Sequence, residues 1–274
     1  MDIIHYIIDS EQAQSQTQET KNDFLILIMP IKTVVITGGN SGIGLSVTKS
    51  YLNAGDNVAV MSRSTGELEK LSLAFPQSLF FFEGDISDVQ ALESFYKKCV
   101  DRFTSIDILI ANAGIANAIP VAAVSEDDYQ KVMDTNVKGV FFTIQKSLSY
   151  LNSGASITLI SSIQAEKGAG LWALYGASKA AVRSLTRSFA AELGHQNIRV
   201  NCVSPGVTDT PIFDKFGFDD ATLETILDNI TSSVPLGRLA EPQEIASTIA
   251  FINSADASYI TGADIQVDGG LIQV

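Results

Sequence analysis

Seven short runs rich in β-branched and aromatic residues recur from Thr33 onward, separated by longer stretches with helical spacing. They are "TVVIT", "NVAVMS", "SLFFFE", "DILIA", "SITLIS", "RVNCVS" and "DIQV". Most lack polar alternation, as expected of strands whose sheet is covered by helices on both faces. Strands alternating with helices are the pattern of repeated βαβ units and a parallel sheet. The spacing predicts helices beginning near Ser41, Ser64, Ser87, Ser125, Trp172 and Pro242. Ser64 with Glu67, and Ser87 with Gln90, read as capping boxes. The helix after "LYGASK" carries Val182, Leu185, Phe189 and Leu193 on one stripe and stops at Gly194. Val207 to Leu236 is a long irregular insert, and inserts of that length tend to be functional lids. With 274 residues, 46% hydrophobic and 18% charged, the chain can bury one sizeable core, so a single domain is expected.

Residues 1–29 stand apart from this pattern. Their first apolar run is too short to span a bilayer and lacks a basic flank, and the Gln/Ser/Thr-rich middle cannot bury enough surface to offset ordering. We expect a disordered extension here, or a true start at Met29, and the folded domain over 30–274. The net charge of −13 and pI near 4.5 argue against a nucleic-acid or anionic-membrane binder, which needs a basic face. Cys99 and Cys202 fit neither a disulfide framework nor a metal cluster. They read as buried thiols in a reducing, cytoplasmic compartment, and no metal is expected.

Directly after the first strand comes "TGGNSGIG", Thr37 to Gly44, opening a helix. Glycines at that junction let a pyrophosphate approach backbone N–H groups at a helix N-terminus, so this position reads as a dinucleotide turn. An acidic residue ending the second strand would select NAD by binding a ribose hydroxyl. Here "VMSRS" puts Ser62 and Arg63 there. An arginine beside a helix start can hold a 2′-phosphate, which favours NADP(H), with NAD possible if Arg63 is only a solvated surface residue. Further on, "ALYGASKAAV" sets Tyr175 and Lys179 one helical turn apart.

Taken with "GDISD", "ANAG", "TNVKG", "ISS", "SPGVTDT" and "PLGRLAEPQEIA" leading to "YITGADIQVDGG", these motifs resemble the short-chain dehydrogenase/reductase family over Thr33 to Gly270. The resemblance implies a Rossmann-type, doubly wound α/β sheet of seven parallel strands. It implies a cofactor turn of Thr37, Gly38, Asn40, Ser41, Gly42, Ile43 and Gly44, with Asp85 and Ile86 beside the adenine. Asn112, Ala113 and Gly114 would lie along the adenosine ribose, and Pro205, Gly206, Thr208 and Thr210 around the nicotinamide carboxamide and phosphates. Asn136, Ser162, Tyr175 and Lys179 match the family's catalytic tetrad; the spacing of Ser162 to Tyr175 selects Ser162 over Ser161.

In that scheme Tyr175 is the general acid/base. As a base near neutrality it needs a pKa drop of roughly three, about 4 kcal/mol, which Lys179 and an oxidised nicotinamide would supply. Ser162 would stabilise the developing alkoxide, and Asn136 would hold a water leading from Lys179 to solvent. Gly176, Ala177 and Ser178 would be small enough to let cofactor and substrate approach. The expected activity is interconversion of a small-molecule carbonyl and its secondary alcohol. Rivals are a 3-oxoacyl-carrier-protein reductase, a sugar-nucleotide epimerase or dehydratase, and a non-catalytic NADP-sensing regulator. Trp172, Phe213, Phe216 and Phe218 suggest an aromatic-lined pocket or simple lid packing. Family analogy suggests a homo-oligomer, a dimer or tetramer.

Overall fold

The first strand, β1 (Thr33–Thr37), is buried along its whole length, and its successive side chains serve opposite faces. Val35 enters one apolar cluster while Val34 and Ile36 enter another. That double burial is the reason the run is continuously apolar. A computed structural model describes residues 30–211 and 219–274. The chain divides into Met1–Ile31 and Lys32–Val274, and everything below belongs to the second unit. The expectations for 1–29 and for Phe213, Phe216 and Phe218 lie outside the described residues.

The remaining strands are β2 (Asn57–Ser62), β3 (Leu79–Glu83), β4 (Ile106–Ala111), β5 (Leu151–Ile160), β6 (Arg199–Pro205) and β7 (Asp264–Val267). All pair in parallel in the order β3-β2-β1-β4-β5-β6-β7. The order reverses direction between β1 and β4, and crevices at such a switch point are where doubly wound sheets bind ligands. The helices are α1 (Gly42–Asn53), α2 (Leu68–Ala74), α3 (Val89–Phe103), α4 (Glu126–Met133), α5 (Val140–Ser147), α6 (Ala173–Leu193), α7 (Asp220–Ser233) and α8 (Pro242–Ile252). One face of the sheet takes Leu92, Phe95 and Tyr96 of α3, Ile144 of α5 and Val182 of α6. The other takes Val47 and Leu52 of α1 with Ile245 and Ile249 of α8. Each fully buried side chain of that size contributes about 1.5–3 kcal/mol.

Several local expectations need correction. Ser64 does not cap α2, which starts at Leu68 without a side-chain cap. Its carbonyl instead accepts from Asn40 Nδ2 at 3.0 Å and Ser62 Oγ at 2.9 Å, tying the turn after β2 to the glycine turn. Asp88, not Ser87, caps α3, its Oδ1 accepting from the N–H groups of Gln90 and Ala91 at 2.9 and 3.3 Å. The acid at the helix start is favoured for the same dipolar reason in either role. β5 begins at Leu151, five residues ahead of its apolar run, because Leu151 pairs with Ile106 before a register irregularity that carries residues 152–155 past Asp107. The insert 207–236 is not irregular throughout, since α7 occupies much of it, capped by Asp219.

Candidate active site

The C-terminal ends of the strands open onto a cleft of about 690 Å³, lined from Gly38 and Arg63 at one end to Tyr175, Trp172 and Ile230 at the other. At the first end the chain turns from β1 into α1. Gly38 and Gly42 have φ of 69° and 50°, a left-handed backbone that glycine adopts without steric cost. Gly44 is constrained by space: a Cβ there would lie 2.2 Å from the Gly38 carbonyl oxygen and 2.5 Å from Asn112 Nδ2. Ser41 is the N-cap of α1, yet its hydroxyl makes no capping bond. The first N–H groups of a helix have no intrahelical partner, so this end offers donors and a partial positive charge to an anion.

The turn is braced by side chains. Thr48 Oγ1, one of the supports the sequence reading missed, donates within 3.0 Å of the carbonyls of Gly39 and Gly44. Asn112 Nδ2 donates to the carbonyls of Thr37 and Gly38, both at 3.0 Å, so its amide holds the turn as well as lining the cleft. Thr37 does not line the cleft; its Oγ1 accepts from the N–H groups of Asn112 and Ala113 at 3.1 and 3.2 Å. Asn40, Ser41, Ile43, Ser62, Arg63, Asp85, Ile86, Ala113 and Gly114 all border the cleft, as do Pro205, Gly206, Thr208 and Thr210. Arg63 is exposed, whereas Ser62 is buried with its hydroxyl donated to Ser64. Asp85 spends Oδ1 on the N–H and hydroxyl of Ser87, each at 2.8 Å, an Asx-type turn.

At the other end Ser162, Tyr175 and Lys179 share the cleft wall. Tyr175 and Lys179 lie on α6, with Lys179 Nζ 5.8 Å from the phenol ring centroid. The lysine is 4% exposed and donates to the Ile160 carbonyl at 2.8 Å. Burial pulls its pKa down to about 8. Burial likewise raises the Tyr175 pKa, while a hydrogen bond with Ser162 pulls it the other way. In the free chain burial is the larger of the two influences, so the phenol lies above its ordinary range. Ser162 Oγ accepts from the Gln164 N–H at 3.2 Å, leaving its own proton to donate. Ser161 is spent elsewhere, its hydroxyl donated to the Lys179 carbonyl at 3.1 Å.

Asn136 stands behind the cleft wall, near Lys179 across Gly114. It sits in a π turn, Asp134–Gly139, between α4 and α5, is fully buried and does not line the cleft. Its Oδ1 accepts from the Ile115 N–H at 2.8 Å, and Nδ2 donates to the Ile115 carbonyl at 2.8 Å and to Ser178 Oγ at 3.0 Å. Ser178 in turn donates to the Tyr175 carbonyl at 2.7 Å. The amide therefore locks the segment after β4 onto α6, and an extra residue in the helical turn aims it there. Ser178 is buried in this chain of bonds and does not give cofactor or substrate room to approach. Gly176 is small for another reason: a Cβ there would meet the Gln164 carbonyl at 2.8 Å. Gly114 is the glycine that keeps space open, since a Cβ would stand 3.3 Å from Lys179 Nζ and 3.2 Å from Asn136 Oδ1.

A doubly wound parallel sheet, a glycine turn leading into a helix at its switch point, and a Ser, Tyr and Lys at one cleft define an NAD(P)-dependent oxidoreductase. Residues 38–272 match the family model described as "Enoyl-(Acyl carrier protein) reductase". The chain belongs to the short-chain dehydrogenase/reductase family. It is 34% identical to Oxidoreductase asL5 of Sarocladium schorii, over 89% of this chain and 96% of that one. It is 34% identical to the 3-oxoacyl-[acyl-carrier-protein] reductase FabG of Thermotoga maritima, over 88% and 98%. Among solved structures it resembles a short-chain dehydrogenase/reductase, glucose/ribitol dehydrogenase, from Brucella melitensis. That match has a TM-score of 0.83 and 35% identity, covering 89% of this chain and 97% of the other.

Proposed function

We propose that the chain interconverts a carbonyl and its secondary alcohol with NADP(H), Tyr175 acting as general acid/base. The observation that carries this reading is the convergence of Ser162, Tyr175 and buried Lys179 on one wall of the cleft whose far end is the glycine turn. The residues fit a dinucleotide: Gly38, Gly42 and Gly44 leave space that any Cβ would fill or strain, and the α1 N-terminus carries spare donors. When bound, the nicotinamide supplies or takes up the hydride. Arg63, exposed at the cleft edge and without a partner among the described residues, supports NADPH over NADH.

Tyr175 donates its proton to the substrate oxygen, and its raised pKa keeps it protonated through neutral pH, which suits reduction. Ser162 donates a second hydrogen bond to the same oxygen. Lys179 holds positive charge below pH 8 beneath the phenol and favours its anion after transfer. Asn136 positions α6 through Ser178 and Ile115, with both amide hydrogens donated and its Oδ1 accepting from the Ile115 N–H. We read 207–236 as a lid over the substrate end. Among the described residues no helix is long and apolar enough to cross a membrane. Burial pushes the thiols of Cys99 and Cys202 up to about 12, consistent with inert cysteines in a reducing cytoplasm. A homo-oligomer is part of the same reading.

Reduction of a 3-oxoacyl thioester is the second reading, favoured by the names of the FabG and MabA relatives at 33–34% identity. The test is a carbonyl panel, including an acyl thioester, followed at the nicotinamide absorbance for wild type and Tyr175→Phe. Loss of turnover by about 10³-fold with NADPH binding retained supports the assignment. Retained turnover sinks it, and turnover of the thioester alone selects the second reading.

A further inference from the structure

Ser162 lies just beyond β5, and the chain after it has little regular structure to hold it. A single 3₁₀ turn, Ile163–Ala165, is followed by an exposed stretch with Gly168 and Gly170 in open space, and α6 starts only at Ala173. A turn that short closes few hydrogen bonds of its own. The place of the serine relative to Tyr175 therefore depends on side chains that reach across from other elements.

A polar cluster outside the cleft supplies them. Arg183 stands on α6 one helical turn beyond Lys179. Its Nη2 pairs with Glu166 Oε1 at the end of the 3₁₀ turn, and its Nε faces Asp264 Oδ2 of β7 at 2.7 Å. Glu166 Oε2 accepts from Gln266 Nε2 at 2.8 Å. Asp264 Oδ1 accepts from the hydroxyl of Ser204 at 2.6 Å and the thiol of Cys202 at 3.2 Å, both on β6. Each of the four carboxylate oxygens thus faces a cation or a donor, and one guanidinium joins the turn to α6 and β7. Its planar fork fixes the two carboxylates in angle as well as distance. The Asp264 side chain is 8% exposed, which makes it a firm anchor rather than a solvated surface partner. Arg183, Glu166 and Asp264 do not line the cleft, so the cluster can reach the chemistry only through what it holds.

We propose that Arg183 is a positioning residue for the carbonyl chemistry. Anchored on Asp264, it holds Glu166 and with it the turn that carries Ser162, so that the serine hydroxyl and the Tyr175 phenol converge on one substrate oxygen. This rests on the reductase reading above. Without the clamp both donors remain, but their spacing varies and fewer encounters have the geometry for proton transfer. Cofactor binding at the glycine turn is left as it is.

The experiment is a double-mutant cycle on the full chain, with NADPH and the carbonyl that wild type reduces fastest. Glu166→Ala opens the clamp and leaves Arg183 paired with Asp264. It lowers kcat about tenfold and leaves the KM for NADPH within about twofold. Ser162→Ala lowers kcat by about 100-fold. Adding Glu166→Ala to Ser162→Ala costs less than about twofold, because no hydroxyl is left to position. A merely structural role costs the same factor in both backgrounds. Arg183→Met repeats the pattern, and if the unpaired Asp264 unfolds that variant, Glu166→Ala decides the outcome.

A second measurement does not depend on turnover. The N–H groups of Ala165, Glu166 and Lys167 donate to the carbonyls of Ser162 and Ile163 at 2.9, 3.1 and 2.9 Å. In Glu166→Ala their hydrogen exchange speeds up about tenfold while that of α6 is unchanged. Faster exchange in a chain whose wild type reduces no carbonyl means that the reaction reading has failed and the clamp stands. Unchanged exchange, a wild-type kcat in Glu166→Ala, or a tenfold cost that persists beside Ser162→Ala overturns the proposal.

Discussion

The two ends of the cleft are built from different materials. The cofactor end is main chain: positive-φ glycines, a helix start and carbonyls braced by Thr48 and Asn112, with little buried charge. The end at Ser162, Tyr175 and Lys179 is side chain, with an ammonium 4% exposed and a phenol shifted upward by burial, and the loop leading into its helix holds Leu171 at φ 67°. One end is an economical turn; the other is held in a costly arrangement by the core behind it. Function accordingly opposes stability at one end only.

The comparison makes graded predictions. Gly44→Ala attacks the main-chain end, where a Cβ must displace the Gly38 carbonyl. Binding of NADPH and NADH should fall together by more than about 100-fold, with a stability loss of about 1–3 kcal/mol, read by titration and thermal melting. Unchanged affinity would show that the turn adapts.

Lys179→Met attacks the other end and should raise stability while removing most turnover. A lysine pKa of about 8 in place of 10.5 corresponds to about 3 kcal/mol held against folding when the group is charged. Between those values the unfolded chain binds a proton that the folded chain does not. Wild-type stability therefore rises with pH across that window, and the rise disappears in the variant. Reduction by wild type should also weaken as pH climbs through about 8. Melting and rate profiles from pH 7 to about 10.5 check both; a variant less stable at pH 7 would break the contrast.

Arg63→Ala tests the cation at the glycine-turn end. NADPH affinity should drop about 10- to 100-fold, as for a lost charged hydrogen bond, while NADH affinity holds. Equal loss of both would return Arg63 to an ordinary surface role. Smallest is Leu171→Gly, which removes a left-handed leucine and should gain about 1 kcal/mol in chemical denaturation.

The difference between the ends also explains what could be read from the chain. Strand runs such as "TVVIT" and "NVAVMS" become β1 and β2 within their predicted bounds, since period and β-branching are local properties. "TGGNSGIG" was legible for the same reason: glycine, strand end and helix start are contiguous. The early start of β5 was hidden because Leu151 pairs by itself ahead of an irregularity, which leaves no apolar run to see. Ser64 and Ser87 misled because several residues ahead of a helix carry a side chain able to cap it, and only the folded turn sets where the helix begins.

Among the site residues, Tyr175 and Lys179 announced their pairing through helical spacing. The roles of Asn136 and Ser178 did not: the bonds of Asn136 to Ile115 and to Ser178 join segments far apart in sequence, through a π turn that residue pattern does not encode. The clamp at Arg183 was invisible, because Glu166 and Asp264 meet it only across packed segments. The sequence by itself determined the parallel sheet, the glycine turn and the helical pairing of Tyr175 with Lys179, all written in spacings of a few residues. Tertiary structure alone decided which of those groups face the cleft, which are spent on bracing and how burial moves their pKa values, because desolvation and hydrogen-bond partners belong to the packed assembly of distant segments.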